Sequence, residues 1–170
     1  MIDILNFKGE NYPSFQSKGF SSQFAFPFAK HVCKGVGYDI GFCKEGWKLE
    51  GAIGIDLCLE DEWDAFNLPE DKVDYIFSSH CLEHLDNWVS ALEYWVSKLK
   101  DGGNLFLYLP HRTQKYWRPF YNRKHIHSLD GELIKECLDE FGMKNIFVSS
   151  YDLNNAFYVI AEKNNLKNES

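Results

Sequence analysis

The sequence predicts one α/β domain over residues 1–170, with a mostly parallel sheet covered on both faces and closed by a C-terminal antiparallel hairpin. Three observations predict it. Six short apolar runs read as strands, two amphipathic helices lie among them, and the last two strands stand too close for a crossover connection. The expected strands are Val36–Ile40, Ala52–Leu57, Val73–Ser78, Asn104–Leu109, Ile146–Ser150 and Ala156–Ala161. Their near-continuous apolar character suits strands buried on both faces.

Ahead of the first strand, residues 1–34 form an aromatic arm containing Tyr12, Phe15, Phe20, Phe24, Phe26 and Phe28. It reads as core packing or as a lid over a site. The first helix follows the third strand. Leu85, Trp88, Val89, Leu92, Trp95, Val96 and Leu99 keep helical spacing, with Asp86 as N-cap, Lys98 and Lys100 in the last turn, and Gly102-Gly103 as the stop. In the second helix Leu133, Ile134, Cys137, Leu138 and Phe141 form one stripe ending at Gly142. Asn154-Asn155 turns the chain into the last strand, and 164–170 reads as a frayed polar tail.

Bulk properties narrow the function. No apolar run reaches the roughly 20 residues of a membrane span, and the N-terminus lacks the order of a signal peptide. Five cysteines without a C-x-x-C pair point to a reducing, cytoplasmic setting. A net charge of −7 argues against non-specific nucleic-acid binding. The charge is uneven, however. Between Pro110 and Ser128 stand Arg112, Lys115, Arg118, Arg123 and Lys124 with no acid. The other 13 Lys and Arg face all 25 acids, which leaves the rest of the chain at −12. Such an island is either a solvated loop or a localised anion site.

Open parallel sheets bind ligands at the carboxyl ends of their strands. There the sequence offers Asp39 and Gly41 after the first strand and Asp56 after the second, then Asp64 before the third. A carboxylate at Asp56 suits the two hydroxyls of a ribose, and one at Asp64 suits an adenine amino group. The acids occur in that order at successive strand ends. The string His80-Cys81-Leu82-Glu83-His84 matches the H-x-x-E-H pattern of inverted zinc peptidases. That chemistry needs both histidines on one helix face, whereas His80 ends a strand run and the helical stripe starts near Leu85. His125 and His127, with His111 and His31, have no carboxylate or cysteine within their loop. No metal is assigned from sequence.

The stretch Gly37–His111 resembles class I S-adenosylmethionine-dependent methyltransferases, and in particular a bacterial type 11-like group with a shortened cofactor half. The resemblance rests on Tyr38-Asp39-Ile40-Gly41, Gly54-Ile55-Asp56-Leu57, the run Leu68–His80, Cys81-Leu82-Glu83-His84-Leu85, Leu99–Gly103 and Leu107–His111, and it extends to Asn122–His127. It implies a Rossmann-like fold, a transferase activity and S-adenosylmethionine as cofactor. It makes Tyr38 and Leu57 cofactor-binding residues and places Asp39 and Gly41 at the methionine end, Asp56 at the ribose, Asp64, Ala65 and Phe66 around adenine, and Ser79 and His80 beside the sulfonium or the amino-acid moiety.

The pattern departs in two ways. Cys43 and Glu45 replace the second and third glycines of the Asp-x-Gly-x-Gly-x-Gly loop. Only 17 residues separate Asp39 from Asp56, and eight separate Asp56 from Asp64, so the cofactor half is trimmed. The acceptor is expected to be small or medium-sized and possibly anionic. Tyr116, Trp117 and Tyr121 would cover it, and Arg112, Arg118 and Arg123 would pair with phosphate or carboxylate. His111, His125 and His127 are the candidate bases. The alternatives are a non-catalytic module of the same fold and, on the basic aromatic loop alone, a nucleic-acid modifier.

Overall fold

In the computed structural model, residues 3–59 and 63–165 are described, together with the backbone but not the side chains of Phe15 and Gln16. Most of the expected tail, residues 166–170, lies outside them. The chain opens with a hairpin of β1 (Ile4–Phe7) and β2 (Glu10–Pro13), joined by Lys8 and Gly9, both at positive φ. Two consecutive left-handed residues are what a two-residue turn needs to follow the strand twist. A 3-10 turn over Ser14–Lys18 leads to α1 (Ser22–Val32). The six-stranded sheet then takes β3 (Gly37–Ile40), β4 (Ile53–Ile55), β5 (Val73–Ser79), β6 (Leu99–Pro110), β7 (Met143–Val148) and β8 (Ala156–Lys163). Helix α2 (Trp88–Ser97) connects β5 to β6, and α3 (Gly131–Glu140) precedes β7.

The strand order is β4-β3-β5-β6-β8-β7, with β8 antiparallel to both its neighbours and the other strands parallel. The expected parallel sheet with its closing hairpin is therefore present. Its two faces differ in chemistry because side chains alternate along each strand. Ile76, Leu105, Leu107, Leu109, Phe157 and Val159 face Leu92, Trp95, Ile134 and Leu138 of α2 and α3. Tyr75, Phe77, Phe106 and Tyr108 face Ala25 and Ala29 of α1. The aromatic arm is core in part: Tyr12 is buried, Phe26 lies 6.0 Å from Phe77 and Phe20 stacks on Trp47 at 5.2 Å, while Phe28 is exposed.

Helix α2 is shorter at both ends than its periodicity predicts. It starts at Trp88 after Asn87, so Asp86 does not cap it. It ends at Ser97, and Leu99 already belongs to β6, where its side chain is fully buried. Lys98 is the C-cap of α2, its side chain donating to the Pro69 carbonyl, whereas Lys100 lies in β6 and pairs with Asp74 at 2.8 Å. Gly102-Gly103 lies inside β6, where a Cβ on Gly103 would sit 2.9 Å from the Lys100 carbonyl oxygen. Helix α3 follows expectation, with Asp130 accepting from the Glu132 amide as its N-cap.

Trp95 links packing to the ligand end of the sheet. It is fully buried, and its indole N–H donates to the Ala65 carbonyl at 2.7 Å. Trp95→Ala is expected to lower unfolding free energy by about 3–5 kcal/mol in urea titrations. Val89→Ala, on the exposed side of the same helix, is expected to stay within about 0.5 kcal/mol.

Candidate active site

Two neighbouring cavities open at the carboxyl ends of β3, β4 and β5. The smaller, about 300 Å³, is lined by Ile40, Gly41, Cys43, Ile55, Asp56, Leu57, Ala65, His80, Cys81, His84 and Leu85. The larger, about 520 Å³, is lined by residues 17–19, 21 and 22 of the N-terminal segment, by Asp39, Gly41, Phe42, Cys43, Lys44 and Trp47, by Ser79, His80 and His84, and by Tyr116, Trp117, Asn122, Lys124 and His125. The two share Gly41, Cys43, His80 and His84.

The loop after β3 is held by carboxylates. Gly41 has φ +84, and a Cβ there would meet Cys81 at 2.4 Å, so this turn requires glycine. Cys43 stands where the resemblance expects another glycine, and it adopts the same left-handed region at φ 64. Its amide donates to Asp56 Oδ2 at 2.9 Å, while the Cys58 amide donates to Oδ1 at 2.8 Å. Asp39 is buried and accepts from the Leu49 amide at 2.6 Å; burial pushes its carboxyl up to about 7. Two acids thereby fold a short segment that has only a 3-10 turn, Glu45–Trp47, between β3 and β4.

Beyond β5 the backbone turns at His80, φ 51, into a 3-10 helix over Leu82–His84. The H-x-x-E-H string is therefore not on an α-helix, yet its side chains converge. Glu83 is fully buried, and its Oε1 lies 3.5 Å from His80 Nδ1, 3.8 Å from His84 Nε2 and 3.7 Å from His125 Nδ1. The carboxylate that the 125–127 loop lacks thus comes from the turn after β5. The backbone carbonyl of Glu83 accepts from the Ile126 and His127 amides at 3.1 Å each, and His84 Nδ1 donates to the Lys124 carbonyl at 2.5 Å. Burial pushes the Glu83 carboxyl up to about 8 and holds His80 well below the ordinary imidazole value. His125 is lowered to about 3 by burial and then by the nearby His84. These imidazoles are neutral at pH 7.

The other expected site residues divide clearly. Tyr38 is in the core, its hydroxyl donating to the Asp71 carbonyl. Asp64 accepts from the Phe66 amide at 2.7 Å in a local turn; neither it nor half-exposed Phe66 lines either cavity, whereas Ala65 does. Of the three candidate bases only His125 faces the large cavity. His111 stacks on Tyr151 at 4.9 Å, and His127 contacts the Asp86 carbonyl. Of the basic loop, Tyr116 and Trp117 line the cavity, but the arginines do not. Arg112 pairs with Asp130 at 3.2 Å, Arg118 donates to the Arg112 carbonyl, and Arg123 is exposed. Tyr121 packs on Phe7 instead. The cations lining the cavity are Lys18, Lys44 and Lys124. Sequence reasoning left Glu83 and His84 without a role because only the fold brings the loop carrying His125 against them.

All five cysteines are free, and no helix among the described residues is long and apolar enough to cross a membrane. A search of curated protein sequences finds no match to the chain. Among solved structures, the fold is similar to a SAM-dependent methyltransferase from Archaeoglobus fulgidus, with TM-score 0.67 and 20% identity over 88% of this chain and 98% of that one. It is also similar to phosphoethanolamine N-methyltransferase 2 from Haemonchus contortus, with TM-score 0.66 and 16% identity over 86% and 54%. A third is the N-methyltransferase NodS from Bradyrhizobium japonicum, with TM-score 0.60 and 13% identity over 88% of each chain. Residues 21–148 match the family model described as a methyltransferase domain, a span that runs from α1 through β7, and the chain belongs to that family.

Proposed function

We propose that the protein transfers a methyl group from S-adenosylmethionine to a small acceptor held in the larger cavity. The observation that carries this reading is the pair of joined cavities at the carboxyl ends of β3, β4 and β5, one largely apolar with a carboxylate at its wall and one of mixed lining, with lysines and histidines among aromatic rings. The residues present fit the cofactor. Leu57, Ala65 and Leu85 supply apolar walls for adenine. Asp56 accepts one backbone amide on each oxygen and keeps further lone pairs for the ribose hydroxyls. Asp39, buried and pushed up to about 7, would regain its charge beside the cofactor's ammonium group. Gly41 lets the backbone pass close to the methionine moiety.

When bound, the cofactor supplies an electrophilic methyl on its sulfonium. The chain's own contribution is placement and exclusion of water. Tyr116 and Trp117 wall the acceptor side, and Ser79 Oγ and Trp117 Nε1 are buried without a hydrogen-bond partner among the described residues. Buried polar atoms left this way mark where a ligand would bond. Neutral His125 and His80 would accept a hydrogen bond from an acceptor N–H or O–H. An anionic acceptor would meet Lys18, Lys44 or Lys124 rather than the loop arginines. The retained backbone of the glycine loop, with Cys43 left-handed and tied to Asp56, favours a working cofactor site over a non-catalytic module.

Titration calorimetry is expected to show S-adenosylmethionine binding that Asp56→Ala weakens by about 1–3 kcal/mol. An unchanged dissociation constant would remove Asp56 from the ribose site, and no binding by the wild type at millimolar ligand would overturn the proposal.

The pH dependence has a definite sign. Asp39 is protonated below about 7 and charged above it, so cofactor affinity should rise on the order of tenfold between pH 6 and 8. Asp39→Asn should bind more weakly and flatten that rise. Glu83, at about 8, also titrates near this window, and a profile that persists in Asp39→Asn would assign the rise to Glu83.

A further inference from the structure

Glu83 and its three histidine neighbours form a cluster that methyl transfer does not by itself require. Glu83 is fully buried, and neither carboxylate oxygen has a hydrogen-bond partner among the described residues; His80 Nε2 and His125 Nδ1 are in the same condition. Buried polar atoms without partners are costly, and here Glu83 Oε1 and His125 Nδ1 face one another 3.7 Å apart. The separations carry further information. Glu83 Oε1 lies 3.5–3.8 Å from three imidazole nitrogens, too long for hydrogen bonds. Ligands each about 2.1 Å from a shared ion at tetrahedral angles lie about 3.4 Å apart. One donor atom from each of His80, Glu83 and His125 falls within 4.8 Å of the others.

His84 adds a further nitrogen held in place by the backbone. Its Nδ1 donates to the Lys124 carbonyl, which places the free lone pair on Nε2, the atom that faces Glu83. Trp117 stacks on His125 at 4.9 Å and 13°, fixing the plane of that ring.

From this geometry we infer that His80, Glu83 and His125, with His84 as a fourth donor, bind a divalent first-row transition cation of the zinc type. Imidazole nitrogen with one carboxylate oxygen suits zinc or ferrous iron rather than magnesium or calcium, which favour all-oxygen sets. The three histidines line the larger cavity, so a cation there would face the acceptor space and could take an acceptor oxygen or nitrogen in an open position. This is not the inverted zinc-peptidase arrangement, because the pair of histidines sits on a strand end and a 3-10 turn, and the Glu is a ligand here rather than a base. The inference stands apart from the methyl-transfer reading, since its readout is metal content.

The test uses the full chain stripped with a chelator and titrated with Zn²⁺ against a chromophoric competitor, and in parallel with Co²⁺ followed by visible absorption. The expected result is one ion per chain at micromolar affinity or tighter, with cobalt bands of four- or five-coordinate intensity. Glu83→Gln and His125→Ala should each weaken binding at least tenfold, with the fold checked by circular dichroism. His84→Ala, a half-exposed position that should leave folding intact, should weaken binding less and shift the cobalt spectrum. His111→Ala, outside the cluster, should match wild type. Absence of stoichiometric binding by the wild type at 1:1 mixing, or wild-type affinity in folded Glu83→Gln and His125→Ala, would overturn the inference.

Discussion

The organisation of the ligand end depends on the burial of Glu83 at the turn after β5. Its backbone carbonyl receives two amides from the 125–127 segment, its carboxylate faces three imidazoles, and the neighbouring His84 ring is bonded to the Lys124 carbonyl. A long excursion between β6 and α3 is thereby tied to the strand that forms the cavity floor. Tyr116 and Trp117 reach across the larger cavity because of that attachment. The first part of the segment 111–128 is held separately, by the His111 amide on the Asn155 carbonyl, buried Gln114 on the Asn154 carbonyl and Phe7 against Tyr116 and Tyr121, with the exposed Lys115–Glu10 and Arg112–Asp130 pairs beside them. Exposed pairs of that kind contribute little.

A second constraint acts on the cofactor side. The chain from β3 to β4 is too short for a helix, so the backbone amides that a helix would satisfy internally must be met otherwise. Asp39 takes the Leu49 amide, and Asp56 takes those of Cys43 and Cys58. The same carboxylates line the cavities. The acids that satisfy this backbone are the ones that wall the cavities, which explains how a trimmed half keeps a shaped space at the strand ends. The left-handed conformation of Cys43 carries a strain that glycine would not, and the Asp56 bond offsets it.

Much of the sheet was legible because its strands are buried on both faces and read as unbroken apolar runs. Helix α3 was legible from its stripe and the stop at Gly142. Helix α1 was not: Pro27 lies inside it, and Ser21 makes no side-chain cap bond. The β1–β2 hairpin was hidden by a Lys in the turn position where Asn or Asp usually signals it. The end of α2 was misplaced because Leu99 continues the helical spacing while its burial belongs to β6. Asp39, Gly41, Asp56, Ser79, His80, Trp117 and His125, named from strand ends and loop composition, line the two cavities. The arginines were overread, because local charge density says nothing about direction, and Asp130 lies just beyond the loop counted. Glu83 and His84 were recognised as a pattern but not as a site, since their partner His125 comes from a distant segment.

Methyl transfer at this site requires the cofactor to lie across the carboxyl ends of β3, β4 and β5 with its reactive end toward the cluster around Glu83. A crystal structure of the protein with S-adenosylhomocysteine tests it most directly. The account predicts adenine between Leu57, Ala65 and Leu85, ribose hydroxyls on Asp56, the amino group beside Asp39 and the sulfur directed toward His80. Density for the ligand elsewhere, or a ribose turned away from Asp56, would contradict it.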